Sequence, residues 1–337
     1  MDNTEIVRYK DYLLNNLGFH GEYDEAAGIR RNILLVEGST DVAFLENIKR
    51  EETKVCSVAD IMRSRAAFSS SSSPEQIPYN SKLVIMELIK HISLIPESIQ
   101  CPKGADKWPL FGLVDRDFDD GGDYSKYKKL FFTDSHDLET LMLSTDAGLL
   151  SRLEQCDISE EDLRIALYLS VQLAEYRKAI QQDNNLKSAD ISEQDGTVDF
   201  ESFTGEGYTI DLGKLLSHIN SKSDEPLSKR KLKRVHQAIT VNMRKLLDRD
   251  GKWKKKLDSF TVDSDGDLWK SVNGHDILSA IRYVNPQARE AFDNSKGHRK
   301  NRDFESALIK AYDYKCFKDT ELFLKLNEAG LLREDIT

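Results

Sequence analysis

Four carboxylates are spaced for phosphoryl-transfer chemistry: Glu37 and Asp41 within Glu37-Gly38-Ser39-Thr40-Asp41, and Asp115 and Asp117 within Asp115-Arg116-Asp117. Mg²⁺ takes hard oxygen ligands in octahedral geometry and keeps several waters, so a site for it needs two or three carboxylates and leaves room for a substrate phosphate. Asp115 and Asp117 are two positions apart and project from one face if a strand continues through them. Gly38 permits a sharp turn and a close approach of backbone to a phosphate, and Asp41 is placed to cap free N–H groups at the start of a helix. A calcium loop does not fit. Its D-x-D-x-D-G register needs glycine where Asp120 stands and an acid where Lys126 stands, and Asp263, Asp265 and Asp267 fail in the same way.

The elements that position these groups are legible as alternating strands and helices. Asn32 to Val36 is a short, β-branched, apolar run ending in Glu37-Gly38, and helical spacing resumes from Asp41 to Lys49. Lys54 to Ile61 reads as a second strand. The serine run Ser69 to Ser73, with Pro74 and Pro78, reads as loop. In Ser81 to Leu94 the apolar residues Leu83, Val84, Leu88, Ile89 and Ile92 keep a 3.6-residue period, with Asn80 or Ser81 as N-cap. Leu110 to Val114 is a further strand, followed by the acidic, glycine-containing turn Asp115 to Asp123. Strands joined through helical crossovers imply an α/β fold with a mainly parallel sheet flanked by helices, whose active site lies at the carboxyl ends of the strands. Both acidic motifs fall at such ends, so folding should bring Glu37 and Asp115 together. After about residue 150 the pattern turns to long helices: Ser159 to Gln182, opened by a Ser159/Asp162 capping box, then Ser228 to Leu247 and Phe304 to Asn327. The expected division is a catalytic domain over 1–150 and a mainly helical lobe over 151–337.

The chain has 337 residues and a formal net charge of −10. That charge excludes a protein that coats nucleic acid with its whole surface, so any such contact must be a local patch. Cys56, Cys101, Cys156 and Cys316 are far apart, with no C-x-x-C pair, and read as reduced, buried thiols rather than a zinc site or disulfide framework. No stretch approaches the roughly 20 apolar residues needed to span a bilayer, and the charged start Met1 to Lys10 is unlike a signal peptide. A cytoplasmic location, with no membrane partner, is expected.

The patch is found between Lys229 and Lys256, which holds twelve lysines and arginines against two aspartates, Arg230, Lys233, Lys252, Lys254 and Lys255 among them. It is a candidate phosphate footprint. Trp253 within it can stack on a base or anchor a core beneath a solvated basic face. His298, Arg299, Lys300 and Arg302 form a smaller basic cluster.

Leu34-Leu35-Val36-Glu37-Gly38-Ser39-Thr40-Asp41 followed by Gly112-Leu113-Val114-Asp115-Arg116-Asp117 resembles the TOPRIM domain shared by topoisomerases, bacterial primases and the overcoming-lysogenization-defect (OLD) nucleases. Three further blocks, Thr133-Asp134-Ser135-His136-Asp137-Leu138-Glu139, Asn273-Gly274-His275-Asp276-Ile277-Leu278 and Phe317-Lys318-Asp319-Thr320-Glu321-Leu322, are similar to the TOPRIM effectors that accompany ABC-type ATPases in anti-phage defence, the PARIS systems among them. The resemblance covers blocks from about 30 to 145 and from about 265 to 325. It implies a Mg²⁺- or Mn²⁺-dependent nuclease in which Glu37 is the acid/base or metal-ligating glutamate and Asp115 and Asp117 are metal aspartates, with Asp41 beside them. It further implies an ABC-type ATPase partner that holds the effector silent until infection, and a homodimer as the active form. RNA, particularly tRNA, is the substrate implied by the defence effectors, and DNA by the wider OLD family. A spacing of three sets His136 and Glu139 on one face of a short helix, within reach of metal or substrate, with a cap at Asp134 or Ser135 and a satisfied histidine as the alternative. His275-Asp276 reads as a turn into a helix. A non-catalytic TOPRIM module that regulates an ATPase is the remaining alternative, against which the intact acidic set argues.

Overall fold

The computed structural model describes residues 23–24, 29–30, 32–61, 81–94, 110–116, 124, 126–152, 158–182, 191, 197–222, 228–260, 267–288, 300–333 and 335. The serine run at 69–73 with Pro74 and Pro78, Asn80, Asp117 with the turn after it, Cys101, Cys156, and the side chains of the 298–302 basic cluster lie outside the described residues. The chain forms two compact units, Met1–Asp134 with Asp313–Thr337, and Ser135–Tyr312. The first unit thus runs to Asp134 and takes back the C-terminal segment from Asp313. Composition does not mark this boundary, because the helix that opens the second unit follows the last strand directly.

The first unit opens with a minimal antiparallel pair, β1 (Tyr23–Asp24) and β2 (Ile29–Arg30). Its body is a four-stranded, all-parallel sheet of β3 (Asn32–Val36), β4 (Thr53–Ser57), β5 (Leu110–Val114) and β6 (Leu130–Phe132), ordered β4-β3-β5-β6 and flanked by helices, an α/β arrangement compatible with a Rossmann-like fold. Because β4 leaves β3 on one side and β5 returns on the other, β3 and β5 flank the point where strand order reverses. In open α/β sheets the crevice at that point is where ligands bind.

Burial on both faces explains the uninterrupted apolar strands. Ile33 and Leu35 join Leu110, Val114 and Leu130 under helix α2 (Ser81–Leu94), whose Val84, Ile85, Leu88, Ile89 and Ile92 complete one core layer. Gly112 makes the contact close: a Cβ there would stand 2.5 Å from Ile85 and 3.0 Å from Ile89, so any larger residue would lift the helix off the sheet. Leu34 and Val36 point the other way and are also buried. Helix α1 (Ser39–Glu46) packs beside β4, and α9 (Glu321–Glu328) beside β6. Phe44 of α1 meets Phe317 edge to face at 5.3 Å. The strand expected through Ile61 ends at Ser57, whose hydroxyl accepts from the Asp60 N–H at 3.1 Å and starts a helical turn.

The second unit is helical, with α3 (Leu138–Thr145), α4 (Glu160–Gln182), α5 (Leu212–Lys222), α6 (Lys229–Asn242), α7 (Gly274–Val284) and α8 (Lys300–Ala311). The Ser159/Asp162 box at the start of α4 forms reciprocally: the Ser159 N–H donates to Asp162 Oδ2 at 2.9 Å and the Asp162 N–H to Ser159 Oγ at 3.1 Å. The helix expected over Ser228 to Leu247 ends at Asn242, and the one over Phe304 to Asn327 is two helices, α8 and α9, that belong to different units. Cys56 and Cys316 are half-buried rather than buried. Among the described residues, no helix is long and apolar enough to cross a membrane.

Candidate functional site

The first site is built at the carboxyl ends of β3 and β5. Glu37 directly follows β3, and its Oε1 accepts a hydrogen bond from the Asp115 backbone N–H at 2.9 Å, while its own carbonyl accepts from the Ala59 N–H at 3.2 Å. The carboxylate is thus anchored to the neighbouring strand, and Asp115 is brought beside it from 78 positions away. Asp41 lies in the first turn of α1, where its Oδ2 accepts from the Gly38 N–H at 2.8 Å. Gly38 has φ −132° and ψ 177°, extended backbone open to any residue, so the sharp turn expected of it is not required.

Arg116, just past β5, is held by Thr133, whose Oγ1 accepts from the Arg116 N–H at 3.0 Å and whose carbonyl accepts from Arg116 Nε at 2.9 Å. Lys82, at the start of α2, donates from Nζ to the Arg116 carbonyl at 3.4 Å and so brings an ammonium beside Arg116. The sequence reading missed Lys82, since nothing local distinguishes it from any lysine in a first helical turn. Asp134 serves elsewhere. Its Oδ2 accepts from the Leu322 N–H at the start of α9 at 3.2 Å, and burial pushes its pKa up against the lowering effect of the Leu322 and Glu321 amides.

The other acidic block lies in the second unit. The cap of α3 is Asp137, not Asp134 or Ser135. Asp137 Oδ1 accepts from the Thr140 N–H at 2.9 Å, Thr140 Oγ1 accepts from the Asp137 N–H at 3.1 Å, and Asp137 Oδ2 accepts from the Gly274 N–H at 2.7 Å. One buried carboxylate therefore joins the N-termini of α3 and α7. His136 precedes the cap, so it does not share a helix face with Glu139. It is 2% exposed, with Nδ1 3.3 Å from Asp137 Oδ2. Burial alone would raise the Asp137 pKa, but the His136 ring and the Thr140 and Gly274 amides outweigh it and hold the carboxyl below the ordinary range.

Glu139, in the first turn of α3, faces His275 of α7 and Glu305 of α8. One potential ligand atom from each lies within 4.8 Å of the others, and this group can hold a metal ion. Asn273 caps α7, accepting from the Asp276 N–H at 3.3 Å, so His275 does stand on the turn into a helix. Asp276 is a fixed ion-pair partner, bonded by Arg177 through Nε at 3.0 Å and Nη2 at 2.8 Å. Glu305 carries no motif, and only its place on α8 reveals it.

The basic segment is an exposed face. On α6, Val235 and Ile239 are buried while Lys229, Arg230, Lys231, Lys233 and Arg234 are exposed, and Lys252, Lys254 and Lys255 follow on the surface. Trp253 is only 8% exposed, which makes it the core anchor and leaves it no face for a base, and its backbone pairs with that of Leu247 in an isolated bridge. Lys255 Nζ lies 4.9 Å over the Phe260 ring, and Lys254 Nζ donates to the Arg244 carbonyl at 2.8 Å.

No protein-family model matches the chain, and no curated protein matches it.

Proposed function

We propose that this chain is a divalent-metal-dependent nuclease of TOPRIM type, the effector of an anti-phage system, silenced by an ABC-type ATPase and cutting RNA, tRNA in particular. The observation that carries this reading is the meeting of Glu37 and Asp115 at the ends of adjacent parallel strands, at the reversal of strand order. Glu37, Asp41 and Asp115 offer only hard carboxylate oxygens, the donor chemistry that Mg²⁺ or Mn²⁺ prefers. Those three residues, with Asp117 outside the described residues, would hold the ion. When bound, the ion supplies charge neutralisation and Lewis acidity toward a phosphate oxygen.

The protein's own groups then have separate tasks. Glu37, fixed by the Asp115 amide, is the carboxylate that moves a proton at the attacking or leaving oxygen. Lys82 and Arg116 add positive charge just past β5, which favours an anionic phosphodiester. In the second unit, the face of Arg230, Lys233, Lys252, Lys254 and Lys255 supports contact with a phosphate backbone. Homodimer formation and ATPase docking rest on the sequence resemblance alone. The deciding experiment expresses wild-type protein and Glu37→Gln without the ATPase and follows growth together with the integrity of cellular tRNA. Loss of tRNA and growth in the wild type alone supports the proposal, whereas equal effects from both proteins reject it.

A further inference from the structure

We propose that Glu139, His275 and Glu305 form a divalent transition-metal site of the Zn²⁺ class, built wholly within the second unit and tying the start of α3 to α7 and α8. The ligand chemistry selects the ion. An imidazole nitrogen with two carboxylates suits Zn²⁺ and its first-row neighbours, while Mg²⁺ prefers an all-oxygen shell.

The geometry points the same way. Two ligands on a tetrahedral ion with bonds of about 2.0–2.1 Å lie about 3.3–3.4 Å apart. His275 Nδ1 and Glu305 Oε1 are 3.3 Å apart. That Nδ1 is shielded from solvent and has no hydrogen-bond partner, although the His275 side chain as a whole is 45% exposed. Glu139 and Glu305 are 5% and 3% exposed, so each would offer the ion carboxylate oxygens shielded from water. The open side of His275 leaves a route for the ion and for a fourth ligand from solvent.

The site is also preorganised. A Cβ at Gly274 would stand 2.4 Å from Glu139 Cβ and 2.6 Å from Asp137 Oδ1, so only glycine lets α7 approach α3 this closely. Asp137, bonded to both helix starts, fixes the separation of Glu139 and His275.

The test uses the full chain, stripped with chelator and titrated with Zn²⁺ by calorimetry, with Co²⁺ as a spectroscopic probe and metal content measured after dialysis. Wild-type protein should take up a single tightly held equivalent that excess Mg²⁺ does not displace. His275→Ala, which alters an exposed side chain and leaves the fold intact, and Glu305→Gln should each lose at least about tenfold in Zn²⁺ affinity. Asp115→Asn should bind Zn²⁺ as wild type, which keeps this outcome distinct from failure of the nuclease reading. No tight equivalent in the wild type, displacement by Mg²⁺, or unchanged binding in His275→Ala overturns the proposal.

Discussion

The carboxylate of Glu37 and the backbone N–H of Asp115 meet at 2.9 Å, joining the ends of two adjacent parallel strands. A charge-assisted bond of this kind contributes about 1.5–3 kcal/mol and, more to the point, fixes an acid at the mouth of the sheet. Its chemical and structural parts can be separated by substitution.

Glu37→Gln retains an oxygen for the Asp115 amide but loses charge and basicity. It is expected to fold with near-wild-type stability and to lose cleavage by about 10²-fold or more. Glu37→Ala removes the acceptor as well and should melt earlier, by about 1–2 kcal/mol. Thermal unfolding and tRNA cleavage, measured on the same preparations, check both, and a fully active Glu37→Gln protein rejects the assignment.

Cleavage should stop on chelation and return with Mg²⁺ or Mn²⁺. Asp115→Asn should shift the metal requirement to higher concentration, because the amide keeps the side-chain shape while removing a charged ligand. A metal titration of the initial rate for both proteins decides the matter, and activity that persists in chelator contradicts the site.

Reversing charge at Lys252, Lys254 and Lys255 should weaken nucleic-acid binding and flatten its salt dependence, each lost contact reducing the slope by about 0.7–0.9. The rate on bound substrate should be unchanged. If the segment docks the ATPase, the variant cuts normally but fails to co-purify with that partner. Unchanged binding and co-purification would identify a merely solvated face.

Asp137→Asn should destabilise the second unit by about 2–4 kcal/mol, since the residue is buried and holds two helix starts together. Its carboxyl is held below the ordinary range, so the folded form prefers the charged state. That stability is present above the unfolded aspartate value, about 3.9, and is lost as pH falls below it toward the folded value. Urea midpoints between pH 5 and pH 2, chosen as roughly the span of carboxylate titration, should fall less steeply in Asp137→Asn than in the wild type.

Local pattern was enough to read much of this molecule. Helix α2 spans the residues its apolar period marks, β3 and β5 end where their apolar runs meet Glu37 and Asp115, and the Ser159/Asp162 box caps α4, all features governed by neighbours a few residues away. The convergence of Glu37 and Asp115 also followed from topology, since parallel strands place their carboxyl ends on one edge. Other features depended on contacts that no local pattern encodes. The Asp137 carboxylate that caps α3 also accepts from the Gly274 amide, 137 positions away. Trp253 is buried beside a backbone bridge to Leu247, and Glu305 of α8 meets Glu139 and His275 where Gly274 lets α7 close onto α3. Periodicity reports which face of an element is buried, whereas the partner each residue meets is settled by long-range packing, where a single missing Cβ sets the distance between helices.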